Sequence, residues 1–430
     1  INTGEPKPGE LNTVGYRCMK STKDLGPAAE KYTVKMNGCH SCPIHCYSDL
    51  RVEAAEGTAG FETVGNTCAA NFPVSVYMKK ILGLDIADDE SVLWDMTTQA
   101  TMDNLGLWCN YAQLYRDIAH CYRAGVFEKN LPAEEYASIN WAGFENDSKD
   151  PTVMGEILTK ISQNDSEISY LAHGPYVWCE RWNEQAWFDN AKSTLVNYRG
   201  WPVHHSIECF GQVGAVYNMM FNRDDMIHSA VNFQGCGLPW EIKQQIAKEV
   251  WGSETAIDQN KNYTPMNEYK AKFCWWSIVT DVLHDCLTLC NWVWPMTMSP
   301  SKSRDYRGDL DLEAKFYTAV TGEEMTRDEL YKRAASVMTL QRANTVRGMG
   351  TTDMRNEHDT ITEWVFTKDP DIQPFTAGTD KMEREDFQTA LGMVYKEFGW
   401  DEKTGAPTAA CLDDYGMGDV KDELASLNLL

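Results

Sequence analysis

The sequence contains no long apolar segment and no excess of positive charge. No apolar run reaches the roughly 18 residues that would cross a bilayer, and the start lacks the pattern of a secretory signal peptide. The chain has 39 basic and 63 acidic residues, a formal charge of −24, which argues against nucleic acid or an anionic membrane as partner. The lack of a long apolar run predicts no membrane span. The charge balance suits small-molecule partners or basic protein surfaces, and solubility alone also accounts for it.

Two further absences bear on the fold. Alternating runs of β-branched residues are scarce, and no segment recurs at the period of a repeat protein. We therefore predict a mainly α-helical chain, and 430 residues suffice for more than one domain. A Gly- and Pro-bearing stretch at 197–202 predicts a boundary near residue 200, with one helical domain over 1–200 and a second over 201–430. Apolar residues recur at helical spacing over 74–127, with a turn at 103–106, and over 152–163, 206–235, 239–251, 275–290, 312–348 and 384–400. We expect residues 128–150 to form a loop with short pieces of structure. Residues 401–430 are expected to form loops and one short acidic helix.

The fourteen cysteines lack the close, regular spacing of a small disulfide scaffold. Three of them, Cys39, Cys42 and Cys46, crowd into a short stretch in which Pro43 favours an irregular loop. Thiolates at this spacing can point at one metal centre, which suits a reducing compartment, and we expect a cytoplasmic protein. Zinc and an iron–sulfur cluster both stay open as interpretations, as do unrelated buried cysteines, and a fourth ligand must come from elsewhere.

Two segments share the frame Asp-x-x-(Gly/Thr)-Leu: Asp103 to Leu107 and Asp285 to Leu289, the latter followed at once by Cys290. A carboxylate beside a tight turn can accept hydrogen bonds from the N–H groups of a flat heterocycle, and the backbone N–H groups of such a turn can meet phosphate. The competing interpretation is that these are two ordinary helix-end turns in which Asp acts as a capping residue.

Two further side chains could move protons. Glu62 stands in Gly60-Phe61-Glu62-Thr63, and His228 closes the segment 222–228. A carboxylate and an imidazole near a redox metal can serve as acid and base in two-electron chemistry. Taken alone, each is more often a surface or structural residue.

Together these segments resemble the aldehyde:ferredoxin oxidoreductase family, the tungstopterin enzymes. The resemblance is carried, in family order along the whole chain, by Cys39-His40-Ser41-Cys42-Pro43-Ile44-His45-Cys46, by Gly60-Phe61-Glu62-Thr63, by Asp103-x-x-Gly106-Leu107, by Asn222-Arg223 with His228, by Asp285-x-x-x-Leu289-Cys290, by Arg342-x-Asn344-x-x-Arg347, and by Phe398-Gly399-Trp400-Asp401 followed by Gly405-x-Pro407.

The resemblance implies two helical domains packed around a bis-pterin and a [4Fe–4S] cluster. It implies that tungsten, or molybdenum, is bound by the dithiolenes of two pterins, and that Asp103, Gly106 and Leu107 hold one pterin and Asp285 and Leu289 the other. It further implies that Cys290 is the fourth cluster ligand beside Cys39, Cys42 and Cys46, and that Glu62 and His228 form the catalytic acid/base pair.

The departures from the family pattern suggest a divergent branch. Trp108 stands where the first pterin motif usually has an acidic residue or cysteine, and Thr288 replaces the usual glycine of the second. Thr97 stands where some members have a glutamate that binds a metal between subunits, so we predict no such site. No segment corresponds to the N-terminal β-rich domain of the family. With no methionine at the start of the sequence, we expect that domain to be a separate chain, or to have been removed or not included.

The leading hypothesis is an oxidoreductase that interconverts an aldehyde and a carboxylic acid and passes electrons through the cluster to ferredoxin or a ferredoxin-like subunit. The first alternative is a low-potential reductase of the same family that acts on an aromatic acyl-CoA. The second is a non-catalytic iron–sulfur electron-relay subunit. Family members often form homodimers, and the resemblance also implies an anaerobic setting.

Overall fold

The described part of the chain is mainly helical, which confirms the predicted fold class. The computed structural model describes residues 33–37, 40, 47–52, 61–66, 98, 100–107, 113–146, 151–184, 211–220, 233, 238–259, 264–290, 297–299, 301–361, 366 and 383–430. The described residues up to 184 belong to one compact unit, and those from 211 onward belong to a second. The boundary near residue 200 lies between these parts, outside the described residues, and stays a prediction.

A small antiparallel sheet, which the sequence did not predict, opens the described part of the N-terminal unit. Its strands are β1 (Thr33–Asn37), β2 (Tyr47–Val52) and β3 (Phe61–Asn66), in the order β1-β2-β3. Asn37 pairs with Tyr47, and Arg51 pairs with Glu62. Strand β2 mixes charged and apolar residues within six positions, so its alternation is too short to stand out from a loop.

Short helices make up most of what the structure further describes of the N-terminal unit. They are α1 (Gln113–Arg123), α2 (Val126–Asn130), α3 (Ala133–Ser138), α4 (Trp141–Asn146), α5 (Pro151–Ser162) and α6 (Pro175–Arg181), with a 3₁₀ helix at Glu167–His173. Aromatic packing holds the short ones: the Trp141 ring stacks on Tyr122 and on Phe127, with centroids 5.2 and 5.1 Å apart. The segment 128–150, expected to be a loop with short pieces, is therefore mostly helical up to 146.

The C-terminal unit is built around one long buried helix. Its helices are α7 (Gly211–Met220), α8 (Trp240–Trp251), α9 (Glu268–Leu287), α10 (Leu312–Thr321), α11 (Arg327–Met349), α12 (Met354–Glu357), α13 (Arg384–Phe398), α14 (Ala409–Asp414) and α15 (Gly418–Ser426). Helix α9 packs against α7, α11 and α13, and because it is apolar on most sides it occupies the core. The Asn267 side chain starts α9 by accepting hydrogen bonds from the backbone N–H groups of Tyr269 and Lys270, both at 2.9 Å.

The structure refines one prediction in this unit and corrects another. The helical pattern at 312–348 is two helices, because Gly322 ends α10 with a left-handed residue and Thr326 opens α11 with a capping box to Glu329. The last thirty residues hold two helices, α14 and α15, where one was expected. No helix among the described residues is long and apolar enough to cross a membrane.

Candidate cofactor-binding site

The three clustered cysteines fall between two paired strands. Strand β1 ends at Asn37, β2 begins at Tyr47, and these two residues are register partners. Residues 38–46 therefore connect the strands of a hairpin. Of this connection the structure describes only His40, an exposed turn residue; Cys39, Cys42 and Cys46 lie outside the described residues.

Glu62 belongs to the same sheet but to its other end. It is the second residue of β3, opposite Arg51 on β2. Arg51 is four positions along β2 from Tyr47, which corresponds to about 13 Å of strand at the usual rise per residue. The fold thus separates the backbone of Glu62 from the cysteine-bearing connection by most of a strand. His228 lies outside the described residues.

The first Asp motif forms the C-terminal end of a helix. The Leu107 N–H donates to the Met102 carbonyl at 2.8 Å, and the Gly106 N–H donates to the Asp103 carbonyl at 3.0 Å. Gly106 has a φ of +68°, the left-handed conformation that glycine adopts without a Cβ penalty. This pair of bonds is the Schellman arrangement that closes many helices.

The second Asp motif forms the same turn at the end of α9. The Leu289 N–H donates to the His284 carbonyl at 2.8 Å, and the Thr288 N–H donates to the Asp285 carbonyl at 3.3 Å. Thr288 takes the left-handed position with φ +55° and ψ +37°, as Gly106 does in the first turn. The shared Asp frame therefore forms the same type of helix-end turn in both units, a turn that also closes α6, α13, α14 and α15.

The shared geometry corrects the expectation that these turns bind phosphate through backbone N–H groups. The N–H groups of Gly106, Leu107, Thr288 and Leu289 all donate within their own turns. Both turns also end helices, where the carbonyl groups concentrate partial negative charge. The interpretation as helix-end turns is thus right about the backbone, but each Asp lies in the last helical turn and does not cap an N-terminus.

The carboxylates of both turns are accessible. Asp103 and Asp285 are exposed, and each stands at a helix end rich in acceptors. An exposed carboxylate beside helix-terminal carbonyls suits a ligand that offers several N–H donors. The turns therefore fit the amino and ring N–H groups of a pterin better than they fit a phosphate group.

The thiol of Cys290 differs from most of the other described cysteines. Cys121, Cys179, Cys274 and Cys411 are buried free thiols, whereas Cys286 and Cys290 are exposed. Burial raises the pKa of Cys274 and raises that of Cys411 to about 11, so both stay protonated and unsuited to bind metal. Burial and the neighbouring Asp285 also raise the pKa of Cys286. Cys290 is also exposed and directly follows the second Asp motif, which favours it as the better-suited metal ligand of this pair.

The described residues bring only part of the predicted site together. Asp285, Leu289 and Cys290 share one segment of the C-terminal unit, whereas Asp103, Gly106 and Leu107 share one segment of the N-terminal unit. Within the described ranges no group of three or more His, Cys, Asp or Glu side chains could hold a metal ion. Three of the four predicted cluster ligands lie outside those ranges, so the cluster stays a prediction.

Arg342, one carrier of the family resemblance, has a structural role in the core. Its guanidinium binds both carboxylate oxygens of Asp359, at 3.0 and 2.8 Å, and lies 4.7 Å from the ring centre of Trp400. The Tyr395 hydroxyl donates to the same carboxylate at 2.6 Å, and His358 Nδ1 lies 2.7 Å from it. Burial alone would raise the pKa of Asp359, but Arg342 and His358 outweigh it and hold that pKa below its usual value.

The chain matches one known protein family over most of its length. The family model of aldehyde ferredoxin oxidoreductase, domains 2 and 3, matches residues 13–417. Among solved structures, the chain is similar to the active-site complex BamBC of benzoyl-coenzyme A reductase in complex with 1,5-dienoyl-CoA, with a TM-score of 0.63 and 17% sequence identity. That similarity covers 99% of this chain and 58% of the other, so this chain spans little more than half of that length. The chain belongs to the aldehyde ferredoxin oxidoreductase family and is similar to domains 2 and 3 of its members.

Proposed function

We propose that this chain is the helical part of a tungsten- or molybdenum-pterin oxidoreductase that interconverts an aldehyde and a carboxylic acid. The observation that carries the proposal is the pair of matching helix-end turns, each with an exposed Asp, one of which leads directly to the exposed Cys290. Membership of the family also supports the proposal, because the resemblance implies two carboxylates that hold the pterins and a cluster ligand at Cys290.

Each turn would hold one pterin by the same means. Asp103 and Asp285 would accept hydrogen bonds from pterin N–H groups, while Gly106 with Leu107, and Leu289, shape the turns that place the carboxylates. Cys290 would join Cys39, Cys42 and Cys46 as cluster ligands. When bound, the pterin-held metal supplies two-electron, oxygen-atom exchange chemistry. Because Cys290 follows the second turn at once, the cluster and one pterin would be held by a single segment.

Glu62 and His228 are proposed to move the protons of the reaction. A carboxylate placed by the backbone of β3 can accept a proton, and an imidazole can return one near neutral pH. We further propose that the electrons pass to ferredoxin or a ferredoxin-like subunit. A separate N-terminal domain would supply the remaining pterin contacts. We also propose that the chain forms a homodimer and that the enzyme acts in an anaerobic cytoplasm.

Metal analysis of anaerobically prepared protein tests this proposal first. About four iron atoms per chain with about one tungsten or molybdenum supports the enzyme. Iron without either metal supports the electron-relay alternative, and zinc alone contradicts both. Oxidation of short aldehydes coupled to a one-electron dye then tests the reaction itself.

The second candidate is a low-potential reductase of an aromatic acyl-CoA. The fold similarity to the benzoyl-coenzyme A reductase complex supports it. Both candidates share the cofactors proposed above and differ in substrate and electron direction. Assays with an aldehyde and with an aryl-CoA, each run with a dye of suitable potential, distinguish them.

A further inference from the structure

A buried histidine–glutamate pair lies beneath the second Asp turn. His284 Nε2 is 3.0 Å from Glu313 Oε1, and the two side chains are only 1% and 2% exposed. The same His284 accepts the Leu289 N–H that closes the turn, through its backbone carbonyl. The pair therefore joins the end of α9, at the point where the cofactor motif begins, to the first turn of α10.

The second turn lacks the two features that stabilise the first. In the first turn Gly106 takes the left-handed position, and the side chains of Met102 and Leu107 are both buried in one core. Such an apolar contact often accompanies this type of helix end. In the second turn a β-branched threonine takes the left-handed position, where a side chain is strained, and Leu289 is only half-buried.

His284 occupies the position in the second turn that Met102 occupies in the first. Where the first turn has an apolar side chain in the core, the second has an imidazole bound to a carboxylate. A buried carboxylate is unfavourable unless it is paired, and Glu313 Oε2 is buried with no hydrogen-bond partner among the described residues. Its hydrogen bond to His284 is therefore the main polar contact that holds Glu313 in this place.

A hydroxyl contact between α9 and α11 lies near the His284–Glu313 pair. Thr280 lies one helical turn before His284 on the same face of α9, and its hydroxyl is 3.1 Å from that of Tyr331. Burial raises the pKa of Tyr331, and the nearby Glu313 raises it further, so this hydroxyl keeps its proton. The hydroxyl contact between α9 and α11 therefore lies near the buried pair.

We propose that the His284–Glu313 pair positions the second Asp turn, and with it Asp285 and Cys290, by taking the place of the missing glycine and the missing apolar contact. His284 and Glu313 are positioning residues, since neither is proposed to touch a cofactor. The inference rests on the proposed function for what the turn holds, but its structural part can be measured without any cofactor.

Amide hydrogen exchange tests the structural part. In Glu313→Met we expect exchange in peptides that report the Leu289 amide to be at least about fivefold faster. The Leu107 amide, in the matching turn of the other unit, should not change. Glu313→Gln keeps an acceptor for His284 and should stay near wild type, and adding Thr288→Gly to Glu313→Met should restore protection. Unchanged Leu289 exchange in Glu313→Met, or an equal loss along the whole of α9, overturns the proposal.

A second variant guards against misfolding. If Glu313→Met does not fold, His284→Asn is measured instead, because its shorter side chain cannot reach Glu313. Faster exchange confined to the Leu289 region supports the proposal, and wild-type exchange overturns it.

The functional part is tested on iron-loaded protein. We expect folded Glu313→Met to keep its iron while its electron paramagnetic resonance spectrum broadens and its reduction potential shifts, because Cys290 is no longer held in one place. An unchanged spectrum and potential would overturn the positioning role. A wild-type chain that takes up no iron would instead contradict the proposed function and leave the exchange result standing.

Discussion

Gly106 and Thr288 hold equivalent positions in two helix-end turns, with φ angles of +68° and +55°. The same backbone conformation is thus reached once by the residue that adopts it freely and once by a residue that does not. Other helix ends of this chain take the same conformation at a glycine or an asparagine, so what sets Thr288 apart is a β-branched side chain at that position. Strain of this kind is characteristic of functional positions.

Gly106→Ala should lower the free energy of unfolding of the N-terminal unit by about 1 kcal/mol, because alanine is disfavoured at positive φ. No atom would lie within 4 Å of the new Cβ, so the loss reflects backbone conformation and not a clash. Gly155→Ala is the matched control. That glycine lies within α5 at ordinary φ with equally open space, and the change should stabilise by about 0.5–1 kcal/mol. Urea denaturation checks both, and effects of the same sign would contradict the prediction.

Cys290→Ser should abolish cluster binding, whereas Cys286→Ser should keep it. Both thiols are exposed and lie four positions apart, so the two variants alter the same segment to a similar extent. Only Cys290 matches the fourth cluster ligand, and the raised pKa of Cys286 disfavours the thiolate that metal binding needs. Iron content and the visible absorption of anaerobically reconstituted protein measure the outcome. Equal iron loss in both variants would mean that the segment, and not the Cys290 thiolate, is required.

Asp359→Asn should lower the free energy of unfolding of the C-terminal unit by about 3–5 kcal/mol. Removing the carboxylate leaves the guanidinium of Arg342 buried without its ionic partner, and an unpaired buried charge is strongly destabilising. The control is Glu423→Gln, which breaks the ion pair between Glu423 and Arg347. Arg347 lies on α11, as Arg342 does, but both side chains of this control pair are about half exposed. The control should leave the denaturation midpoint unchanged, and a similar loss in both variants would contradict the prediction.

The stabilising effect of Asp359 should also disappear in acid. Its pKa is lower in the folded protein than the ordinary value of 3.8, so its contribution is present above about pH 4 and is lost as the pH falls through the folded pKa. The difference in stability between wild type and Asp359→Asn should therefore shrink below about pH 4. Denaturation midpoints of both proteins from pH 6 to pH 2.5 measure this, and a constant difference would contradict the cause.

The sequence predicted the helical class because alternating β-branched runs are scarce and apolar residues recur at helical spacing over long segments. It predicted a turn at residues 103–106 because a glycine after a helical segment is typical of a left-handed residue at a helix end. It could not predict the same conformation at Thr288, since a β-branched residue argues against it. The recurrence of the Asp frame was the only signal that the two segments share a structure.

Pairs that are distant in the chain were beyond sequence reasoning. His284 and Glu313 lie 29 positions apart, and neither type nor spacing marks them as partners until α9 and α10 are placed. The small sheet was missed for another reason. Its strands have five or six residues each, and their stability comes from pairing with one another more than from local preference.

Glu62→Gln and His228→Asn should each abolish turnover while leaving the cluster spectrum intact. Glutamine keeps the size of Glu62 but cannot accept the proton that a carboxylate accepts, and asparagine cannot replace the imidazole as a proton carrier. Because Glu62 lies in β3 at the end of the sheet away from the cysteine-bearing connection, its replacement should not disturb cluster assembly.

Glu62→Asp serves as the control for this last prediction. It keeps the carboxylate and moves it by about one methylene, so it should retain part of the activity, because proton transfer depends on both the group and its reach. Aldehyde oxidation rates and the iron–sulfur spectrum are measured on the same samples. Normal turnover in Glu62→Gln would remove Glu62 from the proposed acid/base pair. A lost cluster would show instead that β3 supports the cysteine loop, since the strand would then stabilise the hairpin that carries Cys39, Cys42 and Cys46.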